Sequence, residues 1–152
     1  MTEALPGRLD DDGVRPVEVS DRARTAPERT PMGVYVSVRG WLECDGTQLG
    51  AVRRIVAAHE DEHYNGGWGM PRRHVNWTCY VFYGADIRES GLEWFAGQVG
   101  EMARIPASDE DGDLVRGLFL VSHEIDGTAE WQVRDGRLLV SPADGRHRYL
   151  DV

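Results

Sequence analysis

The spacing of apolar residues changes several times along the chain, and these changes constrain the fold more than any other feature. Residues 34–39 alternate apolar and polar side chains, which predicts a half-buried strand that continues to Leu42. From residue 49 to residue 63, apolar and His side chains recur at spacings of three and four. This spacing predicts an amphipathic helix, for which Asp45 is a possible N-cap.

A second strand and a second helix follow. Glycine and proline dominate residues 65–71, which predicts a loop, because glycine adds backbone entropy and proline lacks a donor. Residues 75–83 are dense in aromatic and β-branched side chains, so they predict a central strand closed by Gly84. Ser90 is then predicted to cap a helix whose apolar stripe over residues 92–102 ends before a proline.

The last part of the ordered region predicts a three-stranded antiparallel meander. A strand over residues 114–125 is followed by Asp126-Gly127 and Asp135-Gly136, and Asp-Gly tolerates the positive φ angles of tight hairpin turns. The predicted order is β-α-β-α-β-β-β. It corresponds to the α+β class, as a two-layer sandwich with two helices packed on one face of a mixed β-sheet.

The N-terminal residues differ in composition from the rest of the chain. Residues 1–31 are rich in Pro, Asp, Arg, Thr and Glu without a helical or strand period, and we predict a flexible N-terminal arm. Residues 32–152 are predicted to form a single α+β domain. No apolar run approaches the roughly 20 residues of a membrane span, and acidic residues stand where a secretory signal is basic. We therefore expect a soluble, cytoplasmic protein.

Charge limits the classes of partner. The chain has 17 Lys and Arg residues against 26 Asp and Glu residues, a net charge of -9. Phosphate contacts need a basic surface, so this balance argues against nucleic acid and favours a basic protein. No cofactor is predicted, because the glycine-rich residues 66–69 lack the Lys-Ser/Thr of a phosphate loop. No catalytic residue is predicted either, since the chain has no G-x-S-x-G nucleophile motif.

The segment from His59 to His63 matches the H-E-x-x-H pattern of zinc hydrolases. In such sites both imidazoles bind the metal and the Glu polarises a bound water. Gly69 stands where a third His would fall, which leaves Glu89 or Glu93 as the third ligand. The favoured interpretation is that both His side chains extend the stripe at the last helical turn, near the negative end of the helix dipole.

Two acidic clusters and several aromatic residues are candidates for binding a protein partner. Acidic clusters usually form solvated surfaces, but two that converge make a negative patch able to accelerate association with a cationic surface. Trp94 is a further possible aromatic anchor, although core packing is the commoner role of a Trp. The predicted partner-binding residues are Glu60, Asp61, Glu62, Tyr64, Trp68, Asp109, Glu110, Asp111 and Asp113.

The two cysteines, Cys44 and Cys79, lie on segments predicted as strands. Neither has a second Cys or a His at metal-ligand spacing nearby. We therefore expect two reduced, buried thiols.

Six short motifs follow one another between residues 34 and 142. They are Gly40-Trp41-Leu42, the Asn65-Gly66 loop, a strand running into Gly84 with Arg88 shortly after, Gly117-Leu118-Phe119, a hairpin closing on Asp135-Gly136, and Val140-Ser141-Pro142. Their order resembles the immunity protein 7 family of bacterial polymorphic toxin systems. The chain departs from that family at residues 85–87, where an Asn/His-rich turn is expected, and in having no Cys after Pro142.

The resemblance implies a cytoplasmic, non-enzymatic protein that neutralises a cognate toxin by direct binding. Two alternatives stay open: a small zinc-dependent hydrolase built on His59, Glu60 and His63, and a phage- or secretion-associated structural adaptor that docks through its N-terminal arm. Metal analysis of the purified protein tests the first alternative. Deletion of residues 1–31 tests the second, because only the adaptor would lose its partner.

Overall fold

The computed structural model describes residues 33–72 and 76–152. They form an α+β fold with one six-stranded sheet, so the predicted class is confirmed. The predicted flexible arm lies outside the described residues. Within residues 33–72 and 76–152, none of the helices combines the length and the hydrophobicity of a membrane span. The strands are β1 Tyr35–Cys44, β2 Trp68–Gly69, β3 Cys79–Arg88, β4 Arg116–His123, β5 Gly127–Arg134 and β6 Arg137–Pro142; the helices are α1 Gly46–Ala58 and α2 Leu92–Ala103.

The described strands lie in the order β2-β3-β1-β4-β5-β6, and every pair among them is antiparallel. The prediction of a mixed sheet is therefore wrong. The reason lies in the connection between β1 and β3. After α1 the chain returns to the end of the sheet where β1 stopped, since β3 starts at Cys79, opposite Cys44.

Helix α1 begins where the sequence places its cap. Asp45 accepts a hydrogen bond from the Gln48 backbone N–H at 2.8 Å, and the Gln48 side chain accepts one from the Asp45 N–H at 2.9 Å. This reciprocal pair satisfies two of the donors that a helix start leaves unpaired. The helix ends at Ala58, however, and not after His63 as the spacing predicts.

Strand β3 does not follow its predicted bounds. It runs through Gly84 to Arg88, because Gly84 pairs with Arg39 of β1 and continues the ladder. A glycine weakens a strand without ending it. At the other end the strand starts at Cys79, and Trp77 lies outside it with 89 % of its surface exposed.

Two other local predictions are corrected by the structure, and a third is confirmed. Helix α2 has Gly91 as its N-cap, while Ser90 belongs to the 3-10 turn Glu89–Gly91. The stripe along α2 is confirmed, with Phe95, Val99 and Met102 fully buried. Within the predicted loop 65–71, the turn Asn65–Gly67 leads into strand β2.

The meander of β4, β5 and β6 is confirmed, and one of its two turns has the predicted form. Arg134 pairs with Arg137 across a two-residue turn in which Asp135 and Gly136 have φ angles of 54° and 75°. The earlier turn differs, because His123 pairs with Gly127 and leaves residues 124–126 as a three-residue loop. Gly127 accordingly has the positive φ that this longer loop requires, 83°.

The core consists of one cluster of apolar side chains from the helices and from the inner face of the sheet. Phe95 of α2 lies at its centre, with ring centroids 4.7 Å from Tyr83, 5.2 Å from Phe119 and 6.0 Å from Trp131. Along β3, buried and exposed side chains alternate strictly from Cys79 to Tyr83. One face of the sheet therefore faces this cluster and the other faces away from it.

Candidate protein-binding surface

The first acidic cluster, residues 60–62, follows the C-terminal end of α1. Glu60 and Glu62 are exposed. Asp61 instead stabilises the turn after the helix, since its Oδ1 accepts hydrogen bonds from the backbone N–H groups of His63 at 2.8 Å and Tyr64 at 2.9 Å. Two of the three carboxylates are thus exposed, and the third has a local structural role.

The two histidines do not form the zinc site that the H-E-x-x-H pattern would require. His59 is the C-cap of α1 and His63 lies beyond the helix, so the imidazoles are not one helical turn apart. The His59 ring lies 2.9 Å from the Ile55 carbonyl oxygen and 2.9 Å from a carboxylate oxygen of Glu101 in α2. No cluster of three or more His, Cys, Asp or Glu side chains able to hold a metal ion occurs among the described residues.

The interpretation of both histidines as a continuation of the helical stripe is right for one of them. His59 closes the helix end by contact with the Ile55 carbonyl group and joins α1 to α2. The side chain of His63 is 69 % exposed and lies beside Glu62 at 3.6 Å. It therefore takes no part in the stripe, because the helix has already ended.

The second acidic cluster, residues 109–113, lies at the opposite end of α1. The Gln48 side chain, in the first turn of α1, donates to the Asp113 carbonyl oxygen at 2.9 Å. Ser108, just before the cluster, donates a hydrogen bond to the carboxylate of the N-cap Asp45. Asp109, Glu110, Asp111 and Asp113 are all exposed.

The two acidic clusters do not converge. One lies at the start of α1 and the other at its end, and a helix of 13 residues is about 20 Å long. The structure therefore does not bring the two clusters together into one patch. The sequence could not reveal this separation. Along the chain the first cluster follows the C-terminal end of α1 and the second follows that of α2, so their positions look equivalent.

Two of the predicted aromatic anchors, Tyr64 and Trp68, pack against the core. The Trp68 ring lies 4.8 Å from Tyr83 and 5.7 Å from Phe95, measured between ring centroids. Tyr64 packs beside Trp94 at 6.1 Å, and its hydroxyl accepts from the Arg88 N–H at 3.3 Å. Both residues are partly buried and pack against the core where β3 meets α2.

A groove of about 860 Å³ lies at the end of the sheet beside the second acidic cluster. We call its five carboxylate residues the acidic end. Among the described residues that line the groove, Arg116 is the only basic one. Its Nε lies 3.1 Å from a carboxylate oxygen of Glu43. The exposed Trp77 also lines the groove. The acidic end consists of Glu43, Asp45, Asp109, Asp111 and Asp113.

The face of the sheet that points away from the core carries aromatic and aliphatic side chains, which we call the outer-face patch. Phe82 is 55 % exposed and Tyr80 is 48 % exposed, and their rings stack at 6.4 Å. A depression of about 440 Å³ lies between the patch and Gly84, whose missing side chain leaves this space open. The patch consists of Trp41, Tyr80, Phe82, Leu118 and Leu120.

Glu43 joins the outer-face patch to the acidic end. It pairs across the ladders with Tyr80 on one side and with Arg116 on the other. Its carboxylate accepts a hydrogen bond from the Trp41 ring N–H at 3.0 Å. The apolar patch and the carboxylates thus form one continuous surface at this end of the sheet.

The C-terminal residues cover another part of the outer face. In the 3-10 segment Gly145–Leu150, the Leu150 carbonyl oxygen accepts a hydrogen bond from Arg39 at 3.3 Å. The Thr128 hydroxyl donates to the Asp151 carboxylate at 2.6 Å. The C-terminal segment therefore lies over a part of β1 and β5 that the patch does not occupy.

Sequence reasoning missed the outer-face patch, although one signal was present. Residues 79–83 are apolar or aromatic at every position, whereas a strand covered on one face alternates with polar residues. That run indicates a strand with an apolar second face.

Comparison with protein-family models, with characterised proteins and with solved structures found no match to this chain.

Proposed function

We propose that this chain is a non-enzymatic protein-binding module, a cytoplasmic immunity protein that neutralises a cognate bacterial toxin by direct binding. The observation that carries the proposal is the continuity between the outer-face patch and the acidic end through Glu43. It replaces the surface predicted from the sequence, of which Asp109, Asp111 and Asp113 remain.

The composition of this surface supports binding to a protein. Interfaces favour aromatic residues at their centre and charged residues at their rim, and an exposed apolar patch with a polar border is typical of them. Trp41, Tyr80 and Phe82 provide the aromatic centre, and the carboxylates of the acidic end provide the rim. The partner that fits is a protein with an apolar patch bordered by Arg or Lys.

The experiment is a binding titration between the purified chain and the protein encoded by the gene adjacent to its own, tested as the candidate toxin. Phe82→Ala removes the most exposed aromatic ring of the patch, and we expect an increase in Kd of about tenfold or more. The matched control is Val140→Ala, which shortens an exposed apolar side chain on β6. Equal affinities of both variants for the toxin would contradict the proposed centre.

Charge at the acidic end is tested separately. We expect Asp109→Asn/Asp111→Asn to slow association about three- to tenfold at low salt, with a smaller effect at high salt. Glu60→Gln/Glu62→Gln removes the same charge from the opposite end of α1 and should leave association unchanged. If both double variants slow association equally, net charge and not the acidic end steers the partner.

The sequence also predicts that both helices pack on one face of the sheet, in two layers. We propose this arrangement as well. Its support is the single apolar cluster that contains Val52 of α1, Phe95 of α2 and Val121 of β4. A crystal structure of the full-length chain tests it, and helices on opposite faces would contradict it.

A further inference from the structure

The only two cysteines of the chain face each other across one pair of strands. Cys44, the last residue of β1, is the direct partner of Cys79, the first residue of β3. Direct partners in an antiparallel pair have Cα atoms about 4.5–5.5 Å apart, within the roughly 4.4–6.8 Å that a disulfide spans. The backbone register therefore meets the Cα-separation condition for a cross-strand bond.

Both thiols point into the core and are free. Cys44 is 6 % exposed and Cys79 is 1 % exposed. Burial is the main cause that raises the pKa of Cys44 to about 12, and the neighbouring Cys79 is the second. Burial also raises the pKa of Cys79. Because the thiolate is the reactive form, both groups stay protonated and react slowly near neutral pH.

The location of the pair lets the two sulfur atoms approach. Both residues are strand ends, and residues 76–78 just before Cys79 belong to no helix or strand. Trp77 within this segment is almost fully exposed. A small movement at the strand ends opens the pair to a reagent without disrupting the centre of the sheet.

We propose that Cys44 and Cys79 form a reversible cross-strand disulfide on reaction with a low-molecular-weight disulfide such as oxidised glutathione. One protein thiolate attacks the reagent and releases one glutathione thiol. The second protein thiolate then attacks the mixed disulfide and releases the other. The protein loses two protons and two electrons. The reagent takes them up and becomes two molecules of glutathione thiol.

The bond would tie the start of β3 to the last residue of β1, beside the acidic end. Cys44 lines the groove there and precedes the N-cap Asp45 of α1. Oxidation would therefore hold this wall of the groove in one position. The proposed bond does not depend on the proposed toxin binding, and its test needs no partner.

The test exposes the native full-length chain to oxidised glutathione and measures its intact mass under non-reducing conditions. We expect the mass to fall by two hydrogen atoms and a tryptic fragment to link residues 40–53 with residues 74–88. The melting temperature should rise on the order of 10 °C, because the bond closes a loop of the unfolded chain. Reduction with dithiothreitol should restore the original mass.

The rate of bond formation should rise about tenfold per pH unit between roughly pH 7 and pH 9, since the thiolate fraction grows at that rate below the thiol pKa. Cys44→Ala and Cys79→Ala serve as controls that cannot form the bond. Three results would overturn the proposal: no bond in the native chain while the urea-unfolded chain forms it, a persistent mixed disulfide at one cysteine, or a bond between two chains.

Discussion

Two glycines allow β1 and β4 to approach closely at the centre of the sheet. A Cβ atom at Gly40 would collide with the Leu118 carbonyl oxygen and the Phe119 ring, and one at Gly117 would collide with the Trp41 carbonyl oxygen. These obstacles are backbone atoms or a fully buried ring, which have little freedom to move. The role of these glycines is thus steric and is fixed by the neighbouring strand.

We predict that Gly40→Ala lowers the free energy of unfolding by about 2–3 kcal/mol, because the added methyl group overpacks the sheet. Gly97→Ala is the matched control. Gly97 lies on the exposed side of α2 with nothing within 4 Å of an added Cβ, so this variant should gain about 1 kcal/mol from helix propensity. Urea unfolding monitored by circular dichroism measures both, and a loss in both variants would contradict the steric argument.

At the scale of elements, the start of α1 connects helix stability to the acidic end. Asp45 caps the helix and also accepts a hydrogen bond from Ser108. Gln48 completes the capping box and donates to the carbonyl oxygens of Pro106 at 3.3 Å and Asp113 at 2.9 Å. The loop that carries the second acidic cluster is therefore held by the first turn of the helix.

We expect Asp45→Ala to lower the free energy of unfolding by about 1 kcal/mol or slightly more, since the cap is lost. Asp45→Asn keeps an oxygen that can accept from the Gln48 N–H and should change stability by only a few tenths of a kcal/mol. Thermal unfolding of the two variants measures the difference. Equal melting temperatures would show that the cap contributes nothing measurable.

At the scale of the whole molecule, alkaline pH tests the core. Burial raises the pKa of Tyr83 from 10.0 to about 12, and that of Cys44 from 9.0 to about 12. A raised pKa means that the fold favours the protonated group. The stability that these groups contribute is therefore complete below about pH 9 and is lost as the pH rises toward about 12.

We predict that the free energy of unfolding falls by on the order of 3 kcal/mol between about pH 8 and about pH 11 through these two groups. The double variant Cys44→Ala/Tyr83→Phe lacks both titrations and should lose correspondingly less over the same range. Urea titrations under reducing conditions at each pH give the comparison. An identical loss in the parent chain and the variant would assign the alkaline effect to other groups.

Four features could be predicted from the amino-acid sequence: the α+β class, the cap at Asp45, the buried stripe of α2 and the turn at Asp135-Gly136. These features depend on residues within a few positions of one another, where side-chain period and local backbone preference decide the outcome. The end of α1 at Ala58 could not be predicted, because nothing in the local pattern of residues indicates where the helix stops.

Four other features are visible only in the folded chain: the all-antiparallel pairing, the separation of the two acidic clusters, the outer-face patch and the opposition of Cys44 and Cys79. Each of these depends on which strands become neighbours and in which register, a choice made by contacts between residues far apart in the chain. The local spacing of residues does not indicate which strands pair or in which register.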